Sequence, residues 1–303
     1  MASRVHVVTG KGGVVKTTAA TALGLALARR GKRVLLAEVN GGERVTTLLE
    51  ANRVGSEMRE VLEGLHVVDM NPRDAIHEYA LLTFRFEAVY SAVFENRFVK
   101  HFLRLVPSLS ELVMLGKLWF HHEEQREDGT DRFDHIVIDA PATGHAISML
   151  RAPHVVQRTV PPGPLRDNAK NIATMLSERS VMHVVTTPEE MPVNEARELE
   201  RAAADLIGIT MGTTFINQRL TALDPEAIPT LMSQEQEWVA ALGRALDVRQ
   251  SKQKLGEEQL ERLPNIMLRD AVTFPRLVNN QFRRDSVETL AQIIFEHFPV
   301  EGP

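Results

Sequence analysis

A short stretch near the start constrains this chain most: residues 5–18, VHVVTGKGGVVKTT. Val5, Val7 and Val8 read as a buried strand, residues 9–13 as a tight glycine-rich turn, and Lys16, Thr17 and Thr18 as the opening of an Ala/Leu-rich helix. That order brings backbone amides, the positive end of a helix and a lysine to one point, which makes a phosphate cradle. Its lining is Gly10, Lys11, Gly12, Gly13, Val14, Val15, Lys16, Thr17 and Thr18, with the Thr17 hydroxyl suited to Mg2+. The usual pattern has glycine immediately before the lysine, and Val15 stands there instead. If the backbone at that point needs a positive φ, a β-branched residue costs about 1–3 kcal/mol. A purely structural loop has little reason to keep Lys11, Gly12, Gly13, Lys16 and Thr17 in this order; the alternative reading is a loop that folds and binds nothing.

The second strong signal is residues 133–145, FDHIVIDAPATGH. Residues 136–138 predict a buried strand with Asp139 at its end, where an aspartate can hold the water shell of Mg2+. The Pro, Thr and Gly that follow suit a loop that moves with a terminal phosphate.

Between these signals the pattern predicts strand–helix–strand, hence a right-handed crossover and a parallel sheet. Residues 17–30 form the helix, stopped by Gly31, and Val34, Leu35 and Leu36 the next strand, which leads to Glu38, Val39, Asn40, Gly41 and Gly42. Residues 44–62 read as partly helical, and Val67 and Val68 as a short strand. From 73 to 125 the rhythm changes to helical spacing of Tyr, Leu and Phe, broken at Pro107 and Ser108, and this reads as a helical insert. Its apolar faces are core or, as a second reading, a groove for a protein partner. Residues 151–168 read as a proline-rich linker before a helix over 166–179. A strand over 181–186, a helix over 189–207 and a strand over 213–216 ending at Asn217 follow. An asparagine there can read an adenine edge, although a plain turn is the commoner use. Residues 219–260 read as charged and helical, Asn265 to Leu268 as a last short strand after Pro264, and 283–298 as a closing helix.

The chain has 303 residues, 44% hydrophobic and 25% charged, with a net charge of -5, which suits one large α/β domain and gives no basic excess for nucleic acid. There is no cysteine, so disulfides, thiolate zinc sites and cysteine nucleophiles are excluded. No signal peptide and no membrane span is predicted, and the expected location is cytoplasmic. No internal repeat is found.

Taken together, GKGGVVKTT with its second lysine Lys11, DAPATGH, Thr187-Pro188-Glu189 and Phe215-Ile216-Asn217 resemble the arsenite-pump and tail-anchored-protein-targeting ATPases along essentially the whole chain. The resemblance implies a P-loop NTPase fold, a mostly parallel sheet flanked by helices, as a single domain over 1–303. It implies ATP or ADP with Mg2+, and a dimer, either of this chain or with a paralogue, carrying a client at the insert. Lys16 would hold the β- and γ-phosphates, Lys11 the partner's phosphates, Thr17 and Asp139 the metal, and Asn217 and the loop after Pro264 the base.

Three departures stand out. The family's first switch has Asp-Pro-Ala, whereas Val39-Asn40-Gly41 stands here, with Glu38 the adjacent carboxylate and candidate catalytic residue. Val15 alters the cradle, and the cysteine ligands of zinc and arsenite are missing. These point to a slow or impaired ATPase switch, or else to a hydrolysis-deficient subunit or scaffold paired with an active paralogue. A membrane-surface role lacks the basic amphipathic tail it would need.

Overall fold

The computed structural model describes residues 4–71, 109–221, 223, 238–277 and 282–298. The insert reading over 73–125 therefore falls mostly outside the described residues, as do Pro225 and Pro229. Its last part is a helix, α3 (Leu109–Glu123), as the spacing predicts.

Eight strands form one sheet in the order β3-β4-β2-β5-β1-β6-β7-β8. These are β1 (Val5–Gly10), β2 (Val34–Val39), β3 (Arg59–Leu62), β4 (Leu65–Met70), β5 (His135–Ala142), β6 (Ser180–Thr186), β7 (Thr210–Arg219) and β8 (Val272–Pro275). All neighbours run parallel except the edge pair β3 and β4. Side chains alternate between two buried layers. Val5, Val7, Leu35, Ile136 and Ile138 face one layer, shared with α3, α4 (Thr143–Thr159), α5 (Pro164–Glu178) and α6 (Glu190–Ala202). Val8, Val34, Leu36 and Val137 face the other, under α1 (Lys16–Ala28) and α9 (Arg284–His297). Burial on both faces is why the central strands read as nearly continuous apolar runs. The fold is the α/β architecture that the patterning predicts.

Several local expectations are corrected. Residues 59–62, read as partly helical, form the antiparallel edge strand β3, while the only helix among the described residues of 44–62 is α2 (Arg44–Leu48). The segment after Asp139 is no loop: β5 continues to Ala142, and α4 begins at Thr143. The expected linker over 151–168 is largely helix, with Pro153 inside α4 and Pro164 at the start of α5. Pro153 removes one helical hydrogen bond, but Ala146, Met149, Leu150, Ala152 and Val156 bury the same helix face and offset it. Pro164 costs nothing of the kind, because the first amides of a helix have no partner anyway. Asn265–Leu268 is a one-turn helix, α8, with Pro264 before it, and the last strand is β8. Residues 238–260 form the long helix α7 (Trp238–Leu260).

Two backbone positions bear directly on the phosphate loop. Gly10 has φ 155, and a Cβ there would lie 2.1 Å from the Val185 carbonyl oxygen, so no side chain fits where the loop leaves β1. Val15 adopts φ 70, ψ 46, the left-handed region, at the entry to α1. A left-handed backbone, which favours glycine, is thus held here under a valine side chain that is 37% exposed.

Three histidines on β5, β1 and β6 form a hydrogen-bonded row, His135 and His6 near the starts of their strands and His183 level with Val8. The Thr213 amide donates to His183 Nδ1 at 3.0 Å. A neutral His183 then carries its proton on Nε2 and donates to His6 Nδ1, and His6 Nε2 donates to His135 Nδ1, each at 3.0 Å. One backbone amide therefore sets the tautomer of all three rings. Burial, then the neighbouring imidazoles, push His6 well below the ordinary histidine range; burial lowers His135 and takes His183 to about 4. Asp134 opposes the shift at His135, and Lys32 and Arg4 add to it.

Two outcomes follow from these positions. Because the folded histidines sit below the unfolded value near 6.5, the stability they contribute is complete above that pH and is lost as pH falls towards 4. Ring proton resonances followed by NMR should show no titration of His6 or His183 between pH 8 and 5; an ordinary step near 6.5 would contradict the row. Val15→Gly removes the left-handed strain at a smaller cost in chain entropy and should raise the unfolding free energy by about 1 kcal/mol in urea melts. A loss of stability would show that the valine side chain contributes more than its backbone costs.

Candidate functional site

The C-terminal ends of β1, β2 and β5 meet the N-terminus of α1, and this is where the charged residues of the two sequence signals converge. Strand register puts Val8 beside Asp139, Asp139 beside Glu38, and Glu38 beside Asp69. Parallel strands lie about 4.8 Å apart, so three carboxylates stand in a row on the face that α1 covers. Ligands of open parallel sheets bind at this edge.

Asp139 is only 4% exposed, and its Oδ1 is buried with no hydrogen-bond partner among the described residues. Burial raises it to about 6, opposed by a hydrogen bond from the Thr17 side chain and by the charges of Lys16 and Arg44. A buried carboxylate with an unused oxygen beside a hydroxyl offers the oxygen donors that suit Mg2+, which takes one or two protein oxygens and completes its shell with phosphate and water, while the nearby ammonium suits the phosphate. Among the described residues no cluster of three or more His, Cys, Asp or Glu side chains could hold a metal on its own.

Lys16, the first residue of α1, donates from Nζ to the Lys11 carbonyl oxygen at 3.3 Å. Burial lowers its pKa, with Asp139 and Glu195 acting against that and Arg44 adding to it. Lys11 reaches the other way, with Nζ 3.6 Å from Glu195 Oε1 on α6. Lys16 and Thr17 thus stand by Asp139 at the mouth of the sheet, while the Lys11 side chain is held by Glu195.

Glu38 is fully buried at the end of β2. Its Oε1 accepts from the Arg44 amide at 2.8 Å and its Oε2 from the Val45 amide at 3.2 Å. The carboxylate thereby satisfies the free amides that open α2. Burial raises Glu38 to about 7, with Asp139 and Asp69 adding to the rise and the two amides opposing it. The turn between them curls over the carboxylate: a Cβ on Gly41 would meet Glu38 Oε1 at 1.9 Å. Asn40 and Glu43, on either side, are left-handed at φ 55 and φ 64. A strained turn is therefore held shut by one acidic side chain.

Asn217 lies within β7, where the pairing with β8 is irregular. Its Nδ2 donates to the Val14 carbonyl at 3.1 Å and its Oδ1 accepts from the Gln218 amide at 2.9 Å, tying β7 to the phosphate loop. Each end of that side chain keeps one further hydrogen-bonding position. Pro264 precedes α8, which packs against β7. Two charged residues near the cradle escaped the sequence reading. Arg44 is exposed at the start of α2, and its charge acts on both Lys16 and Asp139. Glu195 joins Lys11 to Thr143. Neither belongs to a spacing pattern; only the GGER run after Glu38 hinted at a charged turn there.

Residues 3–162 match the family described as anion-transporting ATPases. The chain is 26% identical to the ATPase BagA of Mycobacterium tuberculosis over 74% of its own length and 67% of that protein's. It is 30% identical to an arsenical pump-driving ATPase of Escherichia coli over 48% of itself and 24% of the relative. It is 23% identical to ATPase ASNA1 homolog 1 of Paramecium tetraurelia over 54% and 48% respectively. Among the described residues no helix is long and apolar enough to cross a membrane. With a glycine-rich loop at the mouth of a parallel sheet, a buried aspartate on the adjacent strand and a match over more than half its length, this chain belongs to the anion-transporting ATPase family and is an ATP-binding P-loop ATPase of the arsenite-pump type.

Proposed function

We propose that this ATPase is a slow, nucleotide-driven switch that works as a dimer and acts on a protein client. The observation that carries the reading is the unused, buried oxygen of Asp139 beside Thr17 and Lys16. Lys16 and the loop amides of residues 10–15 hold the β- and γ-phosphates, and Lys11 serves the phosphates at the dimer face. Thr17 and Asp139 hold Mg2+, which when bound neutralises phosphate charge. Arg44 adds a third cation at the same edge. Asn217 uses its remaining donor and acceptor on adenine, and Pro264 with the turn that follows covers the base. The chain works as one ATPase domain over 1–303, with the 73–125 insert as the client surface.

Slow turnover follows from what stands at the first switch. Val39-Asn40-Gly41 stands where the family's first switch carries Asp-Pro-Ala with its water-orienting aspartate, so that stretch holds no carboxylate. Glu38, the nearest carboxylate, already has both oxygens on the Arg44 and Val45 amides, so acting as a base means releasing α2. Loss of a positioned base costs about 10²–10⁴ in rate. The same two facts favour a second reading, a nucleotide-binding subunit that leaves hydrolysis to a paralogue. The relatives named for arsenical pumps do not extend that cargo to this chain by thiolate capture, because it has no cysteine.

A fluorescent ATP analogue with Mg2+ should bind with an affinity between about 1 μM and 1 mM, and Lys16→Ala should weaken it by about tenfold or more. Absence of binding near 1 mM, alone or with a paralogue present, would end the reading. Placing a carboxylate in this stretch with Asn40→Asp should raise phosphate release by about tenfold or more without tightening nucleotide binding. Equal rates would show that the missing aspartate does not limit turnover.

A further inference from the structure

Glu195 holds two parts of the nucleotide edge at once. Its Oε1 lies 3.6 Å from the Lys11 ammonium in the phosphate loop. Its Oε2 accepts the Thr143 hydroxyl hydrogen at 2.8 Å. Thr143 opens α4 directly after β5, the strand that carries Asp139. Glu195 itself comes from a third element, α6. One carboxylate thus ties the loop before α1 to the segment after Asp139, and it stands within the field of Lys16 as well.

We propose that Glu195 is a positioning residue for Lys11. It occupies the place of an anion beside the lysine until nucleotide phosphate displaces it, and stays attached to α4 through Thr143. The inference rests on reading the loop as a nucleotide site. The two side chains are 31% and 26% exposed, so the pair is partly solvated and weak. A polyphosphate with several charges outcompetes one carboxylate, yet it must still do so. The hydroxyl of Thr143 fixes the carboxylate and holds it in place after the ammonium leaves. Lys11 is then free to turn towards phosphate, and the negative charge it had balanced remains at the start of α4. Phosphate arrival at the loop is in this way felt at the segment that follows Asp139, without any contact between phosphate and α4.

The test is a Mg-nucleotide titration of the full chain as wild type, Glu195→Gln, Lys11→Ala and the double variant, with Glu195→Ala as a second removal of the charge. Both Glu195 variants should bind about two- to fivefold tighter than wild type. Lys11→Ala should weaken binding, and adding Glu195→Gln to it should change nothing further, because the lysine that Glu195 restrains is gone. Unchanged or weaker binding in both Glu195 variants overturns the proposal. So does equal tightening in the Lys11→Ala background, which would mean that Glu195 acts as a general field on the site and not through Lys11. A wild type that binds nucleotide while Glu195 has no effect removes this inference alone; a wild type that binds none removes the nucleotide reading with it.

Discussion

Asp69, Glu38 and Asp139 stand side by side on β4, β2 and β5, and the arrangement of the nucleotide edge is a response to that row. Like charges on adjacent strands repel, and burial makes Glu38 and Asp139 more costly to ionise. Glu38 and Asp139 respond by rising to about 7 and about 6. The surrounding elements compensate these two: two amides of α2 on Glu38, the Thr17 side chain on Asp139, and the charges of Lys16 and Arg44. A site built this way leaves Asp139 Oδ1 buried without a hydrogen-bond partner among the described residues.

The same row explains the geometry of the first switch. Because Glu38 points back under its own turn, residues 40–43 must pass over it, and only glycine fits at position 41. Left-handed backbone at Asn40 and Glu43 is the cost of that passage, about 1–3 kcal/mol for each strained residue. The charged hydrogen bonds from Glu38 to the α2 amides help to offset it. The strain and the clamp belong to one device, since releasing either side chain or backbone releases the other.

Much of the framework was legible in the residue order. Strand β1, the glycine turn and α1 announce themselves because their requirements are local: an apolar run, Gly10 with no room for a Cβ, a helix opened by Lys16. The departure from glycine at Val15 raised the question of a positive φ there, and the folded chain answers it with φ 70. The misread segments have a common cause. Residues 59–62 pair only with β4, Pro153 stays helical only because its face is buried, and Asn265–Leu268 turns helical beside β7; each depends on neighbours distant in sequence. Tertiary contacts outweigh the weak local preferences of short segments.

Residue order was thus enough to specify a parallel α/β sheet, a phosphate loop led by Lys11 and Lys16, and an aspartate on the adjacent strand. It could not reveal that Glu38 spends both oxygens on α2, that Glu195 joins Lys11 to Thr143, or that three histidines share one proton order set by Thr213. Those features arise where residues separated by 6, 52 and 30 positions are brought within hydrogen-bond distance. Local periodicity carries information about backbone state and burial, whereas the pairing of polar side chains is settled by which strands and helices become neighbours in the folded sheet.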